Sequence, residues 1–156
     1  MKKFQFKLDT VLKLRTRIEE QRQQELRQAQ YMRDEARRQV EYRRAQQDEV
    51  LDSYRERVSG SLDLASMIHY ERYTAWLKGM LTLEESRLQT CEANVADARK
   101  RLIEASKDKK IVDKLKEKAY REYRNAELHA EIDFLDELGT SRFNRQAETG
   151  NVNHES

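Results

Sequence analysis

Stepped alternately by four and three residues from Leu77, the chain meets an apolar side chain at thirteen of sixteen positions. The series is Leu77, Leu81, Glu84, Leu88, Cys91, Val95, Ala98, Leu102, Ala105, Lys109, Val112, Lys116, Ala119, Tyr123, Ala126 and Ala130, polar only at Glu84, Lys109 and Lys116. A heptad stripe sustained for that length needs a second helix to cover it and predicts a left-handed supercoil. Little in the sequence interrupts helix: there is no proline, and the four glycines are Gly60, Gly79, Gly139 and Gly150. With 38% charged and 37% hydrophobic residues, the 156-residue chain is too polar for a compact core but suits two narrow buried stripes. The same periodicity argues against disorder. Many seam positions are alanine, so the helices approach closely and each residue gains little from burial.

The covering helix lies in the first third of the chain. From about Asp9 to Val58 Gln, Glu, Arg and Ala dominate, all good helix formers, with Asp9 or Thr10 as the cap. Val58-Ser59-Gly60-Ser61 is the one turn-like cluster before residue 139. Ser61 is a candidate N-cap for a second helix, with Asp63 in that helix's first turn. This second helix is expected over about 62–138, ended by Gly139 and followed by a polar, frayed tail. The fold class is therefore all-α, a long antiparallel two-helix coiled-coil hairpin with a longer second helix. It spans residues 1–145 as one domain, with 146–156 as a flexible tail. Helix 1 fits a heptad frame at Leu8, Leu12, Leu26, Ala29, Ala36, Val40, Val50 and Tyr54, broken by Arg15, Glu19, Arg22, Arg33, Arg43 and Gln47. An eleven-residue ladder, Ile18, Ala29, Val40, Leu51 and Leu62, fits about as well, and the sequence does not choose between them.

At a rise of 1.5 Å per residue the helices would be roughly 75 Å and 115 Å long. Folding back at Gly60 sets residue 60−k opposite 60+k and brings Phe4 near Lys116. The seam of helix 2 nevertheless runs on through Ala119, Tyr123, Ala126 and Ala130. Those positions are either a frayed end or a surface awaiting a partner. The meeting segments are both basic. Residues 1–17 carry Lys2, Lys3, Lys7, Lys13, Arg15 and Arg17 against Asp9, and residues 107–124 carry eight bases against four acids. An acidic partner would relieve them. An acidic patch lies beyond, Glu127, Glu131, Asp133, Asp136 and Glu137, with no Lys or Arg among residues 127–137. A solvated face with intrahelical pairs accounts for such runs equally well.

Near the turn Tyr70, Tyr73, Trp76, Leu77 and Met80 crowd together with Ile68, and all but Trp76 and Ile68 share one side. They either close the hairpin or anchor an interface. Catalysis is not expected. His69, His129 and His154 stand alone, no His-Glu-x-x-His or Glu-x-x-His pair occurs, and no glycine-rich loop cradles phosphate. Cys91 reads as a small seam residue and, being single, excludes an intrachain disulfide. No cofactor or metal is implied. Bases interleaved with acids on an intrachain hairpin also argue against nucleic-acid binding. The N-terminus has the charged ends of a signal peptide without its apolar middle, and no run approaches the roughly 20 apolar residues that span a bilayer. A soluble, intracellular chain, monomeric when free at 18.7 kDa, is the expectation.

Both ends of the sequence resemble a known family. The opening Met1-Lys2-Lys3-Phe4-Gln5-Phe6-Lys7-Leu8-Asp9-Thr10-Val11-Leu12-Lys13-Leu14-Arg15 is similar to the N-terminus of the FliJ family of flagellar export proteins. So is the run from Lys114-Leu115-Lys116-Glu117-Lys118 through Tyr123 to Phe134-Leu135-Asp136-Glu137-Leu138, with Arg142-Phe143 after it. The resemblance implies a stalk like the gamma subunit of rotary ATPases, docked by its paired end into the ring of the flagellar export ATPase FliI. It further implies contact with the export gate protein FlhA, release of export chaperones, and a cytoplasmic position at the inner membrane through the export apparatus. On this resemblance the ATPase-facing residues are Phe4, Phe6, Leu8, Leu12, Ala119, Tyr123, Ala126, Ala130, Phe134 and Leu138. The gate-facing ones are Tyr70, Tyr73, Trp76, Leu77 and Met80. An injectisome stalk of the YscO type and a general coiled-coil tether are the alternatives.

Overall fold

In the computed structural model the backbone is described for residues 3–60 and 63–150, and side chains as far as residue 146. Two helices account for nearly all of it, α1 (Asp9–Val58) and α2 (Leu64–Gly150). They form an antiparallel helical hairpin whose second helix is the longer, 87 residues against 50. The chain divides into two compact units, Arg15–Asp108 and Met1–Leu14 with Lys109–Ser156.

The Arg15–Asp108 unit contains the turn. Ser61 and Leu62, one a candidate cap and the other a rung of the eleven-residue ladder, lie outside the described residues. The cap on α2 is Asp63, whose carboxylate accepts from the Ser66 amide at 2.6 Å. That satisfies one of the amides a helix start leaves without a partner, and the bond holds the Asp63 carboxyl below its ordinary value. With α2 starting at Leu64 the helices pair later than a fold-back at Gly60 predicts. Tyr54 stacks on Tyr70 at 3.9 Å, which moves the midpoint from 60 to 62. Arg44–Glu85 at 2.9 Å and Arg15–Asp108 at 3.0 Å cross between the helices in the same sense.

The unit's core is one stripe from each helix, including Ala36 and Val40 of α1 and Leu77, Cys91, Val95, Ala98 and Ala105 of α2. Leu77 is the largest fully buried side chain, 1% exposed. The heptad frame of α1 is the one realised. Arg15, Glu19, Arg22, Leu26, Ala29, Arg33, Ala36, Val40, Arg43, Gln47, Val50 and Tyr54 all turn at least partly inward, whereas Leu51 of the eleven-residue ladder is exposed. The polar members are accommodated because long side chains bury their stems and carry their heads to the edge of the seam. Ser106 donates to Glu19 at 2.7 Å, Arg22 reaches Glu25 at 2.8 Å and Arg33 reaches Asp34 at 2.9 Å. Glu84 Oε2 and Arg43 Nε, by contrast, are buried with no hydrogen-bond partner.

In the other unit, residues 3–8 precede α1 and lie along α2. The Leu12 amide donates to the Leu8 carbonyl at 2.9 Å, so Leu8 caps α1. Phe4 meets the rings of Tyr120 at 5.3 Å and Tyr123 at 5.5 Å, one turn beyond the Lys116 that the Gly60 fold-back selects. Gly139 does not end the helix, and α2 continues to Gly150, so the tail expected from residue 140 is helical over that stretch. A glycine costs a helix only about 1 kcal/mol, and Glu137 and Leu138 before this one are strong helix formers. Thr140 and Ser141 also donate back to the carbonyls of Asp136 and Glu137, at 2.7 and 2.8 Å, tying the turns on either side of it. Residues 151–156, the rest of that tail with His154, lie outside the described residues.

Candidate protein-binding site

Residues 3–8 and the α2 stretch 115–123 enclose an open groove of about 970 Å³. Phe4, Phe6, Leu8, Leu115, Ala119 and Tyr123 line it, and Lys3, Lys7, Lys118 and Glu122 stand at its rim. The sequence offered no such concavity. It arises because Phe4 and Phe6 sit on an irregular segment held against the side of α2, and that segment carries no helical period to read. Leu12 is half-buried in the seam close by.

This segment also shortens the unpaired stretch of α2. Ala119 and Tyr123 are half-covered, so the open surface begins at Ala126. Ala126 and Ala130, and the large side chains Leu128, Ile132, Phe134, Leu135 and Leu138, are all exposed. At 100° per residue Ala126, Ala130, Phe134 and Leu138 spread over one side, and Leu128, Ile132 and Leu135 lie on the other. The stretch is thus apolar on both sides. Four exposed acids are interspersed, Asp133 and Glu137 on the face of Ala126 and Ala130 and Glu131 and Asp136 between the two sides, while Glu127 is tied to Arg124 at 3.0 Å.

The basic segments do not meet unrelieved. Asp9 stands between Lys13 at 2.9 Å and Lys116 at 3.7 Å. The hydrogen bond from Lys13 first, with its charge and that of Lys116, holds the Asp9 carboxyl below its ordinary value.

In the Arg15–Asp108 unit the aromatic cluster separates into two layers. Leu77 belongs to the core and has no surface to offer a partner, which removes it from the gate-facing set. Tyr70 is half-buried in its stack on Tyr54, and Met80 is half-buried beside the seam. Tyr73 and Trp76 are exposed, stacked on each other at 5.8 Å, with the Arg43 guanidinium 5.7 Å from the indole. At 100° per residue Tyr70, Tyr73, Leu77 and Met80 share an arc of about 80°, and packing against α1 buries Leu77 within it while leaving Tyr73 exposed. No helix among the described residues is long and apolar enough to cross a membrane, and none of those residues forms a metal-binding group of three His, Cys, Asp or Glu.

The sequence profile of a protein family, described as the flagellar FliJ protein, matches residues 4–148. No curated protein matches. Among solved structures, a YscO homolog from Chlamydia trachomatis is similar at 18% identity, over 97% of this chain and 96% of that one, with a TM-score of 0.39.

Proposed function

The chain belongs to the flagellar FliJ family, a family of type III export components that are not enzymes, and we infer that it serves as a stalk between the export ATPase and the export gate. The observation that carries this reading is the α2 stretch 126–138, apolar on both sides and exposed on both. A flat partner covers one side of a helix, whereas a ring that surrounds it covers both. The export ATPase FliI supplies such a ring, and the acids along the stretch suit a basic lining. The groove residues Phe4, Phe6 and Leu8, with Leu12, Ala119 and Tyr123 behind them, brace the helix where it enters. Tyr73 and Trp76, flanked by Tyr70 and Met80, form the surface offered to FlhA in the other unit, with export chaperones exchanged on the same component. This work is done in the cytoplasm, at the inner membrane, without catalysis by this chain.

Mixing the purified chain with the export ATPase, and following ring assembly by sedimentation together with ATP hydrolysis, tests the stalk. Both should rise with added chain. Ile132→Asp, at a position 52% exposed, should abolish the effect while leaving helical content intact. Tyr123→Asp should weaken it by dislodging Phe4. No response to the wild-type chain, or an equal response to Ile132→Asp, refutes the reading.

A further inference from the structure

The groove and the α2 stretch beyond it are complementary to each other. The groove has an apolar floor and a net basic rim, Lys3, Lys7 and Lys118 against Glu122, which stands 3.9 Å from Lys118. Ala126, Ala130, Asp133 and Glu137 recur at spacings of four, three and four, so two small residues and two acids share one face, continuous with Ala119. All four are exposed. The stretch cannot fill the groove of its own chain, because α2 runs unbroken from one into the other. Only a second molecule can bring them together.

We propose that this end of the chain binds a second copy of itself, each copy laying its 126–138 helix into the lysine-rimmed groove of the other. The arrangement is isologous, with a two-fold axis near Ala126 that sets position 126−k of one copy level with 126+k of the other. Ala126 then faces its own counterpart, and the small side chains there and at Ala130 let the helices approach closely. Lys118 comes level with Phe134 but on the edge of the interface that carries Asp136, so its ammonium faces that carboxylate. In this register no like charges are level anywhere from position 113 to 139. Shifting the axis to residue 124 would set Arg121 of one copy level with Glu127, a residue already tied to Arg124, and would lose the alanine contact. The monomer expected of an intrachain hairpin is then the dilute form. The dimer covers a surface that the stalk reading assigns to the ATPase, but its test needs only this chain.

Sedimentation of the full chain at rising concentration and low ionic strength is the experiment. The mass should climb from 18.7 kDa toward twice that value, and the association should weaken severalfold in high salt because the charges involved are exposed. Two triple variants separate this contact from any other. Lys3→Glu with Lys7→Glu and Lys118→Glu makes the groove acidic, and Asp133→Lys with Asp136→Lys and Glu137→Lys makes the helix basic. All six positions are exposed, so dichroism should show both variants folded. Each alone should self-associate at least tenfold more weakly than wild type, and an equimolar mixture should form a heterodimer, since each groove then meets a helix of opposite charge. A wild-type chain that stays monomeric at every concentration overturns the proposal and leaves the surface to a different protein. So does a dimer that both variants retain, or a mixture that fails to associate.

Discussion

Shortening Leu77 to alanine separates a seam residue from a surface anchor by energy. Leu77 is 1% exposed in the seam, so its truncation removes buried methyl groups and opens a cavity. Such changes cost about 2–5 kcal/mol in a globular core. A two-stranded seam is one side chain thick, with water along both edges, so the neighbours collapse or hydrate more easily and about 2–3 kcal/mol is expected. Leu83→Ala is the matched control: the same atoms are deleted six residues along the same helix, where the side chain is 62% exposed. Its effect should stay within about 0.5 kcal/mol. Urea unfolding followed by dichroism compares the two midpoints. Equal shifts would refute the placement of Leu77 in the core and restore it to the surface.

Phe4→Ala removes two ring contacts worth about 0.5–1.5 kcal/mol each, so amide exchange over residues 3–14 should speed by on the order of tenfold while residues 15–108 are unchanged. Asp63→Ala should lower the urea midpoint and Asp63→Asn should retain most of it, since asparagine also caps. Because the folded carboxyls of Asp9 and Asp63 titrate below the ordinary 3.8, the stability they contribute is present above that pH and is lost as pH falls through their folded values. An acid titration of helical content should therefore show a transition below pH 3.8 that Asp63→Asn diminishes. Cys91, 9% exposed in the seam, should react with a thiol reagent only through opening of the helices, so Leu77→Ala should accelerate its labelling.

Much of the fold is legible in the sequence because a heptad stripe is a local property. Every position of the α2 frame from Leu77 to Tyr123 is buried or half-buried, including Glu84, Lys109 and Lys116. The absence of proline and the cluster at Val58-Ser59-Gly60 likewise fix two helices and the place where they part. Pairing is a different matter. Which of two ladders α1 presents was open until it met a partner with a heptad seam, and arginines with long stems could then occupy that seam without burying their charge. A shift of two residues in the fold-back point moved Phe4 from beside Lys116 to the rings of Tyr120 and Tyr123, and moved where α2 is first left uncovered.

The sequence by itself determined an antiparallel helical hairpin with unequal arms, because period, helix propensity and breakers are read residue by residue along one chain. Tertiary structure alone decided that residues 3–8 cover Ala119 and Tyr123, that Leu77 is core while Trp76 is surface, and that Gly139 lies inside a helix. Each of those depends on what stands across the seam or on bonds from a neighbouring turn. The open stripe beyond residue 116 that the sequence suggested is thus a shorter one, starting at Ala126, and it is preceded by a groove that no periodicity announces.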